Sequence, residues 1–301
     1  MPGRGSVDVQ SRFFAAPDGL SLHVRCYEPE GALRLPVLCL PGLTRNEADF
    51  EPLARYLSAD SDRPRRVYAL DSRGRGRSAY DPDWRNYNPA IELADVVAVA
   101  AALDLGRAIF VGTSRGGILT MLMAAVKPSM IAGAVLNDIG PVIEPAGLMR
   151  IKGYAGRMQR PNDLQHGAAM LRDLFGTQFP NLTESDWLAW ATRNWREDRD
   201  GLLPRYDQAL AETLKDLRPD QPMPDLWPQF EALPQVPLMV VRGMLSDILS
   251  ADTLRAMQGR RADLQVVEVS DQGHAPLLAE PVIMEQIAEF MQRCDDRASQ
   301  G

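Results

Sequence analysis

The chain has 301 residues, of which 45 % are apolar and 24 % charged, with a formal charge of −7. That size and balance suit one large globular domain with a substantial core, and the negative charge argues against nucleic acid as the main partner. No charged-then-apolar leader opens the sequence and no apolar run reaches membrane-spanning length, so a cytoplasmic protein with no membrane contact is expected.

In chain order, residues 12–16 and 20–27, joined by Pro17-Asp18-Gly19, read as an entry hairpin. Strands are predicted near 36–40, 66–70, 107–112, 130–137, 237–242 and 264–269, with helices near 49–58, 90–103, 115–126 and 250–258. The last helix is the clearest: Pro281 stands in its first turn and Ile283, Ile287, Phe290 and Met291 follow at helical spacing. Past Arg293 the chain turns polar and reads as frayed. Such alternation predicts an α/β fold with a mostly parallel central sheet and helices on both faces.

Between Asp138 and Pro237 the alternation stops, with no strand-like run. Trp187, Trp190, Ala191, Asn194 and Trp195 recur there at helical spacing, and Pro219, Pro222, Pro224, Pro228 and Pro234 give an extended return. The arginines Arg63, Arg65, Arg66, Arg73, Arg75 and Arg77 form a local cluster. As a phosphate loop it fails, since Gly74-Arg75-Gly76 lacks a third glycine and opens no helix. It reads as a solvated, partly salt-bridged loop. Cys26, Cys39 and Cys294 are far apart and suggest neither a disulfide framework nor a zinc site.

Ser114 lies in Gly112-Thr113-Ser114-Arg115-Gly116-Gly117, after the buried-strand run Ala108-Ile109-Phe110-Val111 and before a helical pattern. Small residues two before and two after the serine permit a very tight strand-to-helix turn. Such a turn lifts the hydroxyl above the sheet and aims helix N–H groups at an anion formed beside it. The sequence holds three histidines, His23, His166 and His274. Only His274 follows a late strand, in the sharp loop Asp271-Gln272-Gly273-His274-Ala275-Pro276, where a general base is expected. The carboxylate that orients it is expected at Asp247, after the apolar run 237–241. Asp138, at the end of the run 131–137, is the rival, and Asp247 could instead cap the helix near Ser250. Asp271 is too close along the chain to reach the ring easily.

With these residues in place, the sequence resembles the α/β-hydrolase superfamily, in its serine esterase/lipase-like branch with a helical cap, from about residue 12 to residue 293. The run 37–43 is similar to the superfamily's strand and oxyanion loop, and Asp71-Ser72-Arg73-Gly74-Arg75-Gly76-Arg77-Ser78 is similar to the turn after its next strand. The resemblance implies a core of residues 1–140 and 235–301 and a cap, or lid, at 141–234. Ser114 is then the nucleophile, His274 the base and Asp247 the acid. The backbone N–H groups of Leu43 and Arg115 become the oxyanion donors. Two departures stand out. Pro41-Gly42 replaces the frequent His-Gly pair, and Arg115 stands where relatives more often carry an uncharged residue. That cation could reinforce the oxyanion, bind an acidic substrate or pair with a carboxylate. Trp187 and Trp190 either line a substrate pocket or pack the cap onto the core.

The implied activity is hydrolysis of small to medium, partly apolar carboxylic esters through an acyl-enzyme, with no metal or organic cofactor. The partner is a small-molecule ester or related acyl compound, and monomer and homodimer both stay open. Lactonase, amidase, acyltransferase and C–C bond hydrolase chemistry would use the same triad. Haloalkane dehalogenases and epoxide hydrolases are disfavoured because they carry an aspartate where this chain has Ser114. A capped small-molecule sensor with little turnover is the reading from a different class.

Overall fold

The computed structural model describes residues 7–60, 62–199, 201–220 and 224–300. In chain order its elements are β1 (Val7–Ala15), β2 (Ser21–Pro29), β3 (Val37–Leu40), α1 (Glu51–Ser58), β4 (Val67–Leu70), α2 (Pro89–Ala102), β5 (Ala108–Thr113), α3 (Arg115–Val126) and β6 (Ile131–Asn137). The insertion follows: α4 (Pro145–Tyr154), α5 (Leu164–Phe175), α6 (Glu184–Asn194), β7 (Trp195–Asp198), β8 (Gly201–Pro204) and α7 (Trp227–Glu231). The chain then closes with β9 (Leu238–Gly243), α8 (Ala251–Arg260), β10 (Gln265–Val269) and α9 (Pro281–Ala298).

Eight strands form one sheet in the order β1-β2-β4-β3-β5-β6-β9-β10. The β1–β2 and β2–β4 pairs are antiparallel, and every other pair is parallel. Every residue of β3, β4, β6 and β9 is buried, which explains their unbroken apolar runs: a parallel strand covered on both faces has no solvent side to mark with polar residues. On one face α2, α3 and α8 pack through Val96, Val99, Leu119, Met123, Leu254 and Met257. On the other, α1 and α9 pack through Leu53, Leu57, Ile283, Ile287, Phe290 and Met291. Each such side chain contributes about 1.5–3 kcal/mol by leaving water. Among the described residues no helix is long and apolar enough to cross a membrane.

Three expectations change. The tail past Arg293 is helical to Ala298, because Asp295 is buried and clasped by Arg65 at 2.6 and 3.1 Å and by the Leu35 N–H at 3.1 Å. The arginine cluster is only in part a solvated loop: Arg63 and Arg77 are exposed and Arg66 is half-buried. Arg73 and Arg75 are fully buried and Arg65 nearly so. Arg73 bonds Asp18, Asp81 and Asp95, and Arg75 bonds Glu92. The carboxylates come from three separate segments, so local sequence could not show them. Finally, the insertion is not free of strands: β7 and β8 form an antiparallel ribbon. Its helices share their own apolar cluster, which includes Leu171, Phe175, Phe179, Trp187, Trp190 and Trp195. Of the prolines in the return segment, Pro222 lies outside the described residues.

Candidate active site

Ser114 stands at the junction of β5 and α3 with φ +50°, a left-handed conformation that costs a non-glycine residue energy. The surroundings enforce it. The Ser114 N–H donates to the Asn137 carbonyl at 3.0 Å, and the Gly117 and Ile118 N–H groups donate to the Ser114 carbonyl at 2.9 and 3.1 Å. A Cβ on Gly116 would lie 1.9 Å from the Leu40 carbonyl oxygen, and one on Gly112 would lie 2.5 Å from the Gly116 backbone. Both glycines are therefore required by close backbone approach, as the spacing around Ser114 predicts.

The His274 ring joins Ser114 to a carboxylate. Its Nε2 lies 2.8 Å from Ser114 Oγ, and its Nδ1 lies 2.8 Å from Asp138 Oδ2. An ionised carboxylate only accepts, so Nδ1 carries the proton and donates it to Asp138. Nε2 is left to accept from the serine hydroxyl. The carboxylate at the ring is thus that of Asp138, not that of Asp247 as expected. Asp138 follows β6, the strand beside β5, and is fully buried. Its Oδ1 accepts the Gly243 N–H at 2.9 Å, and its Oδ2 accepts the Ser246 hydroxyl at 2.5 Å. Asp247 instead receives Arg150 of α4 through two bonds, at 2.6 and 2.8 Å. Burial works to raise the Asp247 pKa, but the bonds and charge of Arg150 outweigh it and hold the carboxyl below its ordinary range. Nor does Asp247 cap α8, since the Ser250 side chain accepts the Thr253 N–H there. The loop after β9 still serves the site, through Ser246.

Asp138 was foreseen only as the rival acid, and Asn137 was not foreseen. Its side-chain amide donates to Thr113 Oγ1 at 3.1 Å and to the Pro276 carbonyl at 2.9 Å, tying the His274 loop to the ends of β5 and β6. An asparagine and an aspartate ending a wholly apolar strand run were the available signal for both residues. The other histidines lie elsewhere. His23 is fully buried, with Nδ1 at 2.7 Å from Asp71, and His166 is exposed on α5.

The Arg115 guanidinium is held in hydrogen bonds within the protein. It donates to Glu92 at 2.7 Å and to the Tyr87 carbonyl at 3.2 Å. Glu92 is shared with Arg75, whose Nε also donates to the Leu43 carbonyl at 2.7 Å. The buried arginine cluster thereby braces the loop that carries Leu43. Burial would raise the Glu92 pKa, yet Arg115 and Arg75 hold it below its usual value, so an ionised pair network is maintained. Among the described residues the Leu43 and Arg115 N–H groups make no loop or cap hydrogen bond to another backbone carbonyl.

Two cavities meet at Ser114. One, of about 310 Å³, is apolar and lined by Leu43, Ile118, Ile139, Ile143, Leu148 and Ile248, with Arg115 at its wall. The other, of about 80 Å³, also touches His274 and is lined by Arg45, Asp49, Tyr154, Trp190 and Arg193 among others. Trp190 therefore lines a cavity, whereas Trp187 is in the lining of neither: it stacks on Trp190 with ring centroids 5.4 Å apart and packs into the insertion's own core. His23, Glu47 and Asp71 have ligand-type atoms within 4.8 Å of one another. Asp71 Oδ2 accepts from His23 and from the Arg77 N–H at 2.9 Å, and its Oδ1 accepts from the Glu47 N–H at 2.8 Å.

The fold agrees with the comparisons. A model of the alpha/beta hydrolase family matches residues 37–285, and the chain belongs to that family. Over 277 residues it is 32 % identical to the 3-hydroxybutyrate-oligomer hydrolase of Cupriavidus necator, covering 86 % of this chain and 92 % of that one. It is 29 % identical to the 2-(acetamidomethylene)succinate hydrolase of Mesorhizobium japonicum, covering 79 % and 81 %. Among solved structures, an alpha/beta hydrolase from Novosphingobium aromaticivorans superposes with a TM-score of 0.88 at 41 % identity, covering 96 % of this chain and all of that one. The chain is a hydrolase of this family.

Proposed function

We propose that the protein hydrolyses carboxylic esters through an acyl-enzyme on Ser114. The observation that carries this reading is the His274 ring, 2.8 Å from both the Ser114 hydroxyl and the Asp138 carboxylate. His274 Nε2 takes the hydroxyl proton as Oγ bonds to the ester carbonyl carbon. The oxyanion is received by the N–H groups of Leu43 and Arg115, at the start of α3 where the helix dipole favours negative charge. Asp138 stabilises the imidazolium and fixes its tautomer. His274 then gives its proton to the departing alcohol, and a water it deprotonates releases the acid.

In this reading residues 141–234 act as a lid over Ser114. Support comes from the lining of the smaller cavity, to which Ile151, Tyr154, Met158, Phe175, Trp190 and Arg193 of that segment contribute. Three separated, unpaired, buried thiols fit the reducing cytoplasm. The named substrate of the Cupriavidus relative, a 3-hydroxybutyrate oligomer, favours an ester over the other bonds this triad can cleave.

A panel of 4-nitrophenyl esters of increasing acyl length, run on wild type and Ser114→Ala, tests the proposal. Turnover is expected for short to medium acyl chains, with a loss of about 10³-fold or more in kcat for Ser114→Ala. Equal rates in the two proteins would remove the assignment. A single turnover followed by arrest would favour the sensor.

A further inference from the structure

Arg193, at the end of α6, lines the smaller cavity with Ser114 and His274. Its guanidinium makes no hydrogen bond among the described residues, and its Nε is buried without a partner. The anion in ion-pair reach is Asp49, whose oxygen lies 3.5 Å from Nε, beyond good hydrogen-bond range, and Glu51 and Asp186 act from further off. Asp49 is already committed to Arg45, which donates to it at 2.6 and 2.5 Å. Arg45 spends its remaining Nη1 on Asn194 at 2.5 Å and stacks over Trp190 at 5.4 Å. The cavity wall thus carries two guanidiniums and one carboxylate, with the surplus positive charge on Arg193. A half-buried guanidinium without hydrogen bonds is costly. Burial pushes its pKa down and Arg45 adds to the lowering, while Asp49, Glu51 and Asp186 oppose it; an arriving anion would offset what remains of the lowering.

We propose that Arg193, supported by Arg45, forms an anion subsite that receives a carboxylate carried by the substrate. This deepens the ester-hydrolase reading and rests on it. The substrate is an ester with an aliphatic portion in the apolar cavity and a free carboxylate in the small cationic one, with the scissile carbonyl over Ser114 between them. An oligoester of a hydroxy acid has this form at its acid end. The charge also selects against neutral esters of equal length, because only the anion repays desolvation of Arg193.

Two pairs of esters, matched except for charge, test the subsite. In one, 3-acetoxybutanoate is compared with 3-acetoxybutanamide, with the carboxylate on the alcohol side. In the other, mono-4-nitrophenyl glutarate is compared with its methyl ester, with the carboxylate on the acyl side. Wild type is expected to favour the anionic member of at least one pair by about tenfold or more in kcat/KM, mainly through KM. Arg193→Gln should collapse that ratio toward one, and Arg193→Lys should keep part of it. Arg172→Gln makes the same change of charge on an exposed part of α5 and should keep the ratio whole. Binding of 3-acetoxybutanoate and of glutarate to Ser114→Ala, followed by calorimetry, requires no turnover. Adding Arg193→Gln should weaken it by a similar factor. Turnover with no charge preference, and no loss of calorimetric affinity in Arg193→Gln, would overturn the subsite and leave the hydrolase reading. Intact binding with no turnover of any ester would do the reverse.

Discussion

The choice of acid shows how a single carboxylate acquires its role. Asp138 and Asp247 both follow apolar strands near the same edge of the sheet, and they differ in what reaches them first. Asp138 is fully buried and bonded by Gly243, Ser246 and His274, whereas Asp247 is part-exposed and neutralised by Arg150. Asp138→Asn is expected to lower kcat on an ester by about 10³- to 10⁴-fold, because an amide would favour the wrong imidazole tautomer. Asp247→Asn should cost about 1 kcal/mol of stability and less than about tenfold in kcat, since it loosens one partly exposed ion pair. Steady-state kinetics of the two variants check this, and the opposite ranking would return the acid role to Asp247. Ser114 and His274 were legible in the sequence because each depends on short-range pattern: glycines two residues either side of a serine, and a histidine in a sharp loop after a late strand. The acid was not, because it is chosen by which of two distant loops closes on the ring. Arg193 was equally hidden, since a surplus cation appears only when its neighbours' partners are known.

At the scale of elements, the β5–α3 junction is the most constrained piece of the fold. Gly116 meets the Leu40 carbonyl so closely that any Cβ must part β3 from the start of α3. Gly116→Ala should therefore destabilise the protein by about 3 kcal/mol or more, lowering the thermal midpoint and abolishing ester turnover together. A variant that folds with wild-type stability would show that the junction can relax. Strand and helix positions were readable because burial on both faces and helical spacing are local signals. The extension of α9 to Ala298 and the β7–β8 ribbon were not. The first is held by Arg65, 230 residues away, and the second is a four-residue pairing in which only Trp195 of β7 is buried.

Across the whole molecule, buried charge is spent on joining segments: Arg73 gathers Asp18, Asp81 and Asp95, and Arg65 fastens the last helix to the sheet. Glu47, half-buried beside Asp71, carries a cost of a different kind. Burial, reinforced by the nearby Asp71, pushes its pKa from 4.5 up to about 7. Because folding raises this pKa, the folded state holds the extra proton. The associated stability is complete below about pH 4.5 and is lost as pH rises through about 7. Glu47→Gln, which imitates the protonated form, is expected to stabilise the protein by about 1–2 kcal/mol at pH 8 and to have little effect near pH 5. Denaturant unfolding at the two pH values checks this, and an equal effect at both would assign the cost to something other than ionisation.

The stacked indoles of α6 carry a consequence of their own. Trp187 lies against Trp190 with their planes 15° apart, and Trp190 alone of the pair faces the small cavity. Intrinsic emission from this stack is therefore a built-in optical reporter of occupancy: a molecule seated beside Trp190 should shift or quench it, while one confined to the apolar cavity meets Trp84 instead, so that a Trp84→Phe background separates the two.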